Sequence, residues 1–518
     1  MPGDDRRGGI LLPLFSLRGA HDWGIGEIDD LADLCDWLAA AGHRLLQLLP
    51  IVEMSLGERS PYAALTAFAI DPIYVAFDAV EDFAAAGGVA AMSPADRAAV
   101  AALGSATAVD YDSVRAVKRR ALERAFRHFL AHEWATGSTR AAAFRRFREE
   151  EAAWLADYGL FRACQEAHAG AAWTEWEPAL RARAPEALAT AGRDLAEQRL
   201  LHEYAQWIAA EQWAAARRRA AAAGVRLKGD LPFMVSANSA DVWPRREEFH
   251  LDLTVGAPPD AFNADGQDWG LPAYRWDAMA RNDYAWLRAR AARAAELFDV
   301  FRLDHVVGYY RMFVIPPGGR GRFVPPDEHE QLALGERLLR VVLAAARGTA
   351  VVGEDLGVVP PFVRRSLTAL GIPGYRVLRW ETEHGVFRDP VAYPALSVAT
   401  TGTHDTSTLA TWWEEDLDDA GRRALAAVPT FAALAGASPE FTPAVHDALL
   451  AGLYAAGSDL VVLPFQDAYG GRERINVPAT VGAPNWGYRM PWTLRELRGA
   501  AGAALRDRLR ALAASRGG

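Results

Sequence analysis

Seven short apolar runs, each closed by a polar cluster and separated from its neighbours by helical patterns, constrain this chain more than any other feature. They occupy residues 45–49, 225–227, 300–303, 350–352, 375–378, 397–400 and 460–463. Each is too short for a helix of ordinary length, and continuous apolar runs of this kind mark strands buried on both faces of a parallel sheet. Amphipathic helical patterns lie among them at 28–41, 284–297, 336–346 and 361–370. Strand alternating with helix over this length predicts an α/β fold, and a closed (β/α)8 TIM barrel fits it.

What ends the runs is informative. Pro50 follows the first and Lys228-Gly229-Asp230 the second. Asp304-His305 follows the third, Glu354-Asp355 the fourth, Gly402-Thr403-His404-Asp405 the sixth, and Pro464-Phe465-Gln466-Asp467 closes the last. Carboxylates therefore collect at C-terminal strand ends. In a barrel those ends share one rim, and that rim is where active sites are built. Asp304, Glu354 and Asp405 are spaced about 50 residues apart, which is roughly the chain that one strand, one helix and their loops require. Arg302 precedes Asp304 by two residues, so both side chains leave one face of the strand. A guanidinium there favours the ionised form of Asp304. Singly, each of these groups also reads as a barrel ion pair or a loop cap. In order, at successive strand ends, they read as a catalytic set.

The 518 residues carry 51% apolar residues and a net charge of -10. That supplies a large core, and the acidic balance argues against a groove that tracks nucleic acid. No apolar run reaches the ~18 residues of a membrane helix, and no apolar segment follows the basic start. Cys35 and Cys164 lack a CxxC partner and read as buried thiols. These features lead us to expect a cytoplasmic protein, a monomer or weak homo-oligomer. The chain is expected to form a single catalytic barrel over 1–518, with a largely helical insertion at 83–223. A loop-rich insertion at 231–274, dense in Pro, Gly, Asn, Asp and aromatics, is expected to lie over the rim.

The segments Arg302-Leu303-Asp304-His305, Gly353-Glu354-Asp355-Leu356-Gly357 and Thr401-Gly402-Thr403-His404-Asp405 resemble the second, third and fourth signature regions of the α-amylase superfamily. A finer set is similar to glycoside hydrolase family 77. It comprises Ser60-Pro61-Tyr62, Gly229-Asp230-Leu231-Pro232, Ser239-Ala240-Asp241-Val242-Trp243, Pro258-Pro259-Asp260, Gly266-Gln267-Asp268-Trp269-Gly270 and Asn485-Trp486. The resemblance runs from about Gly9 to Arg495. It implies 4-α-glucanotransferase activity on maltodextrin or another α-1,4-glucan, by double displacement.

The resemblance also implies roles. Asp304 is then the nucleophile with Arg302 orienting it, and Glu354 the acid and later the base. Glu354 must be protonated before cleavage, so a raised pKa is expected beside anionic Asp304. Asp405 with His404 holds sugar hydroxyls in the transition state. His305 bonds a sugar hydroxyl or is a satisfied supporting histidine. Tyr62 stacks under the sugar or packs in the barrel, and Asp230 bonds substrate or supports Arg302. Trp269 and Gln267 cover and bond the acceptor sugars, unless Trp269 is a core residue, and Asn485 and Trp486 reach the site from the last loops.

Two departures from the family pattern stand out. Ala261-Phe262 replaces an aromatic pair carried by some members, which weakens acceptor grip. Leu56 replaces an aromatic associated with a second glucan site. No metal or other cofactor is expected: 263–268 lacks EF-hand spacing, and Gly318-Gly319-Arg320-Gly321 lacks a phosphate-loop lysine. The alternatives are a retaining α-glucan hydrolase and a catalytically silent glucan-binding protein.

Overall fold

The computed structural model describes residues 7–259, 266–478, 480, 482 and 484–516. Eight parallel strands form one sheet that curls into a barrel. In chain order they are β1 (Arg7–Leu11), β2 (Leu45–Gln47), β3 (Arg226–Leu231), β4 (Val300–Leu303), β5 (Ala350–Gly353), β6 (Gly374–Val377), β7 (Ser397–Thr400) and β8 (Leu460–Pro464). Successive strands pair in parallel except β5 with β6, and β1 also pairs with β8. Between β5 and β6 there is no ladder, but the Gly353 N–H donates to the Pro373 carbonyl at 2.9 Å across this seam.

Seven of the strands coincide with the seven apolar runs. β1 does not, because Gly8 and Gly9 dilute its pattern. Their role is spatial: a Cβ on Gly9 would sit 2.8 Å from the Leu45 Cβ, so only glycine lets β1 approach β2 this closely.

Helices Asp30–Ala40, Ala196–Ala222, Ala285–Leu297, Glu328–Ala345, Pro361–Ala369 and Pro443–Tyr454 lie between the strands. Glu328–Ala345 starts earlier than its apolar pattern indicates. The Asp327 carboxylate accepts the His329 and Glu330 N–H groups, and this cap fixes the start. Leu338, Leu339 and Val342 on that helix are buried against the barrel, each worth ~1.5–3 kcal/mol when fully removed from water. β6 and β7 are joined by a short hairpin, Thr382–Glu383 with Val386–Phe387, rather than by a helix. Cys35 and Cys164 are buried free thiols. Among the described residues, no helix is long and apolar enough to cross a membrane.

Segment 231–274 carries two paired strands among its loops. Strands Phe249–Ala257 and Gln267–Tyr274 pair antiparallel, and Met312–Ile315 and Arg322–Val324 extend them to a four-stranded sheet. Phe249, Leu251, Leu253 and Val255 alternate with polar residues, which is the period-two signal of a strand. The surrounding Pro and Gly obscure it. Asp260, Ala261 and Phe262, and positions 263–265, lie outside the described residues.

Candidate active site

Strand β4 delivers the central pair. Arg302 is buried on the inner face of β4, and Asp304 follows the strand directly. The Arg302 Nη1 lies 2.8 Å from the Asp304 Oδ1 and 2.8 Å from both oxygens of Asp230, which faces it from β3. The register pairs Asp230 with Arg302, so the contact is fixed by the strand ladder. Asp304 Oδ2 accepts the Phe233 N–H at 3.2 Å. The two contacts hold one carboxylate oxygen each and fix the orientation of the Asp304 side chain. The Asp230 carboxylate also accepts the Tyr62 hydroxyl at 2.7 Å.

Glu354 ends β5, beside β4. Its Oε2 accepts the His305 N–H at 2.8 Å, its Oε1 accepts the Leu356 N–H at 3.1 Å, and Arg302 Nη2 stands 3.9 Å away. His305 adopts φ +44°, a left-handed conformation that costs ~1–3 kcal/mol in a side-chain-bearing residue and turns its N–H onto Glu354. Burial is the main force on the Glu354 carboxyl. Arg302 opposes it, the Asp304 and Asp355 charges add to it, and the pKa rises to about 8. Asp304 and Glu354 thus stand around one guanidinium, that of Arg302. Burial also lowers His305, to about 4, despite the Asp304 charge.

Asp405 follows β7. Its Oδ1 accepts the Asn476 amide at 2.7 Å, and the His404 Nε2 lies 3.3 Å from its Oδ2. Burial pushes this carboxyl up, but His404, Asn476 and Arg302 together overcome it and hold the pKa at about 2. Arg474 donates from Nη2 to the Asp405 carbonyl at 2.9 Å.

Aromatic rings wall two sides. Tyr62 lies nearly parallel to His404, with centroids 5.2 Å apart, and Trp486 contacts both rings. Opposite them in chemistry, Trp269 stands edge-on to His305 at 4.9 Å, and its indole N–H donates to Gln267 Oε1 at 3.1 Å. The antiparallel sheet is therefore what brings Gln267 and Trp269 to the residue next to Asp304. A small pocket beside Arg302 and Glu354 draws lining residues from several strand ends, among them Leu11, Gln47, Tyr375 and His404.

Asn485 does not turn its amide to this cavity. Its Oδ1 accepts the Val477 N–H at 3.0 Å and its Nδ2 donates to the Thr480 hydroxyl at 2.9 Å, so it shapes the last loop while Trp486 faces the aromatic wall. Asn476, Arg474 and the Phe233 N–H escape sequence reasoning. The first two sit in a loop with no strand-end signal, and a backbone donor has no residue identity to read. Among the described residues, no group of three or more His, Cys, Asp or Glu side chains is placed to hold a metal ion.

A parallel barrel whose rim carries two carboxyl groups around one buried guanidinium is the framework of an enzyme that cleaves glycosidic bonds through carboxyl groups. The model of glycoside hydrolase family 77, described as 4-alpha-glucanotransferase, matches residues 12–495. A 4-alpha-glucanotransferase of Thermus thermophilus is 35% identical over 98% of this chain and 97% of its own. One from Chlamydia pneumoniae is 32% identical over 96% and 93%. The solved amylomaltase from Streptococcus agalactiae in complex with acarbose superposes with a TM-score of 0.83 at 26% identity, covering 99% of both chains. The chain belongs to the 4-alpha-glucanotransferase family, glycoside hydrolase family 77.

Proposed function

We propose that the enzyme transfers segments of α-1,4-glucans by double displacement on Asp304. The observation that carries this is the Arg302 guanidinium shared by Asp230 and Asp304 beside a Glu354 carboxyl raised to about 8. Asp304 attacks the anomeric carbon of the donor while Glu354 gives its proton to the departing glycosidic oxygen, leaving a glycosyl ester. The 4-hydroxyl of an acceptor sugar then attacks the same carbon, surrenders its proton to Glu354 and releases Asp304. Asp405 and His404 bond hydroxyls of the sugar held in the ester, and Tyr62 stacks beneath it.

Water competes with the acceptor for the ester, and transfer prevails where sugar fills the acceptor side. The Trp269–His305 contact, next to Asp304, supports Trp269 as the ring that covers that side. The test is incubation with maltotriose alone. Glucose plus a ladder of longer maltodextrins, with total reducing ends constant, is the expected result. Rising reducing ends without longer products would replace transfer by hydrolysis. Full activity of Asp304→Asn would overturn the assignment of the nucleophile.

A further inference from the structure

Asp467 ends β8 as Asp304 and Glu354 end β4 and β5, yet it does not join them. It is buried on the helix Phe465–Tyr469, 2% exposed. Its Oδ2 accepts the Thr401 hydroxyl at 2.5 Å and its Oδ1 accepts the Leu409 N–H at 2.7 Å. Thr401 and Leu409 are the two ends of the loop after β7, and His404 and Asp405 sit between them. A single carboxylate therefore joins both ends of the loop that carries Asp405.

Within that loop the backbone is already turned tightly. The Thr406 hydroxyl accepts the Thr403 N–H at 3.0 Å and donates to the Thr403 carbonyl at 3.0 Å. These bonds shape the turn but do not anchor it to the barrel. Arg379, from the segment after β6, adds ties to the Thr401 carbonyl and the Ser407 hydroxyl. Asp467 is the group that fixes the Leu409 end, where the chain enters the next helical turn.

We infer that Asp467 is a positioning residue for the transfer reaction, closing the loop 401–409 so that Asp405 meets the sugar in the transition state. This rests on the reading of Asp405 given above. A displacement of about 1 Å in such a group costs on the order of 100-fold in rate. Removing the clamp should therefore lower kcat much more than it raises KM.

The experiment is a double-mutant cycle with maltotriose as substrate. Asp467→Ala should lower kcat by about tenfold or more while KM changes less than about threefold. Asp467→Asn should recover most of the loss, because its carbonyl still accepts the Leu409 N–H and its amide can donate to the Thr401 hydroxyl. In an Asp405→Asn background, Asp467→Ala should change the residual kcat by less than about twofold, since the residue it positions is already disabled. Thr401→Val, which cuts one tie and leaves the carboxylate in place, should lower kcat in the same background-dependent way, and it serves if the alanine variant fails to fold. An unchanged kcat in Asp467→Ala, or equal losses in both backgrounds, would overturn the inference. If Asp405→Asn alone leaves kcat intact, the reading of Asp405 falls instead.

Discussion

Raising the pH through the titration of Glu354 isolates the proton that this residue supplies. Burial, with the Asp304 and Asp355 charges behind it and Arg302 against it, lifts the carboxyl from 4.5 to about 8. At pH 7 a carboxyl titrating at 4.5 is protonated in about one molecule in 300, whereas one titrating at 8 is protonated in about nine of ten. The environment thus multiplies the acid-competent enzyme ~300-fold. The group is raised, so its acid form is present below 8 and is lost as pH rises through that value. With maltotriose, kcat/KM should hold level from about pH 6 to 8 and fall about tenfold per unit above. A 4-nitrophenyl α-maltoside donor expels a leaving group that needs no proton, so its cleavage step should lack this alkaline limb. Glu354→Gln should likewise retain far more activity on the aryl donor than on maltotriose. Stability offers a second reading: between pH 4.5 and 8 the folded state holds a proton that the unfolded chain has lost. Wild type should therefore lose about 1.4 kcal/mol per pH unit relative to Glu354→Gln across that window. An alkaline limb of equal depth with both donors would refute the assignment of Glu354 as the acid.

Arg302→Leu removes the cation shared by buried Asp230 and half-buried Asp304. It should cost ~3–5 kcal/mol in urea unfolding and more than ~100-fold in transferase activity; Arg302→Lys should not restore it, because an ammonium cannot reproduce the planar contact with both carboxylates. Near-normal turnover of the leucine variant would refute this. Trp269→Ala should open the acceptor side to water, raising new reducing ends relative to transfer products, and an unchanged ratio would count against the acceptor role. Asn476→Ala should lower kcat about tenfold with little change in KM, since it removes the amide bonded to Asp405; a rise in KM alone would place Asn476 in ground-state binding. Dialysis against EDTA should leave activity unchanged, and its loss with recovery on adding Ca²⁺ or Mg²⁺ would contradict a metal-independent site.

Much of this molecule is written in local pattern. Short apolar runs buried on both faces are strands of a covered parallel sheet, so seven of the eight strands are legible residue by residue. The two-residue step from Arg302 to Asp304 places both on one face, and the ion pair follows from strand geometry. β1 escaped because Gly9 is required by the close approach of β2, a fact about a neighbour 36 positions further on in the chain (Leu45 from Gly9). The strands at 249–257 and 267–274 were hidden by the Pro and Gly around them, though their alternation was present. Position at a strand end identified Asp304, Glu354 and Asp405 as candidates, and it equally singled out Asp467. Only the tertiary structure separated them, turning Asp467 inward to Thr401 and Leu409 and leaving the others at the rim. It alone raised the Glu354 carboxyl by burial, brought Asn476 to Asp405 and bonded Asn485 within its own loop. Sequence fixes which groups alternate along a strand, because that period is local. Which loop group meets which carboxylate, and how much water remains around it, depends on chain paths that converge from distant positions, and burial there decides the charge.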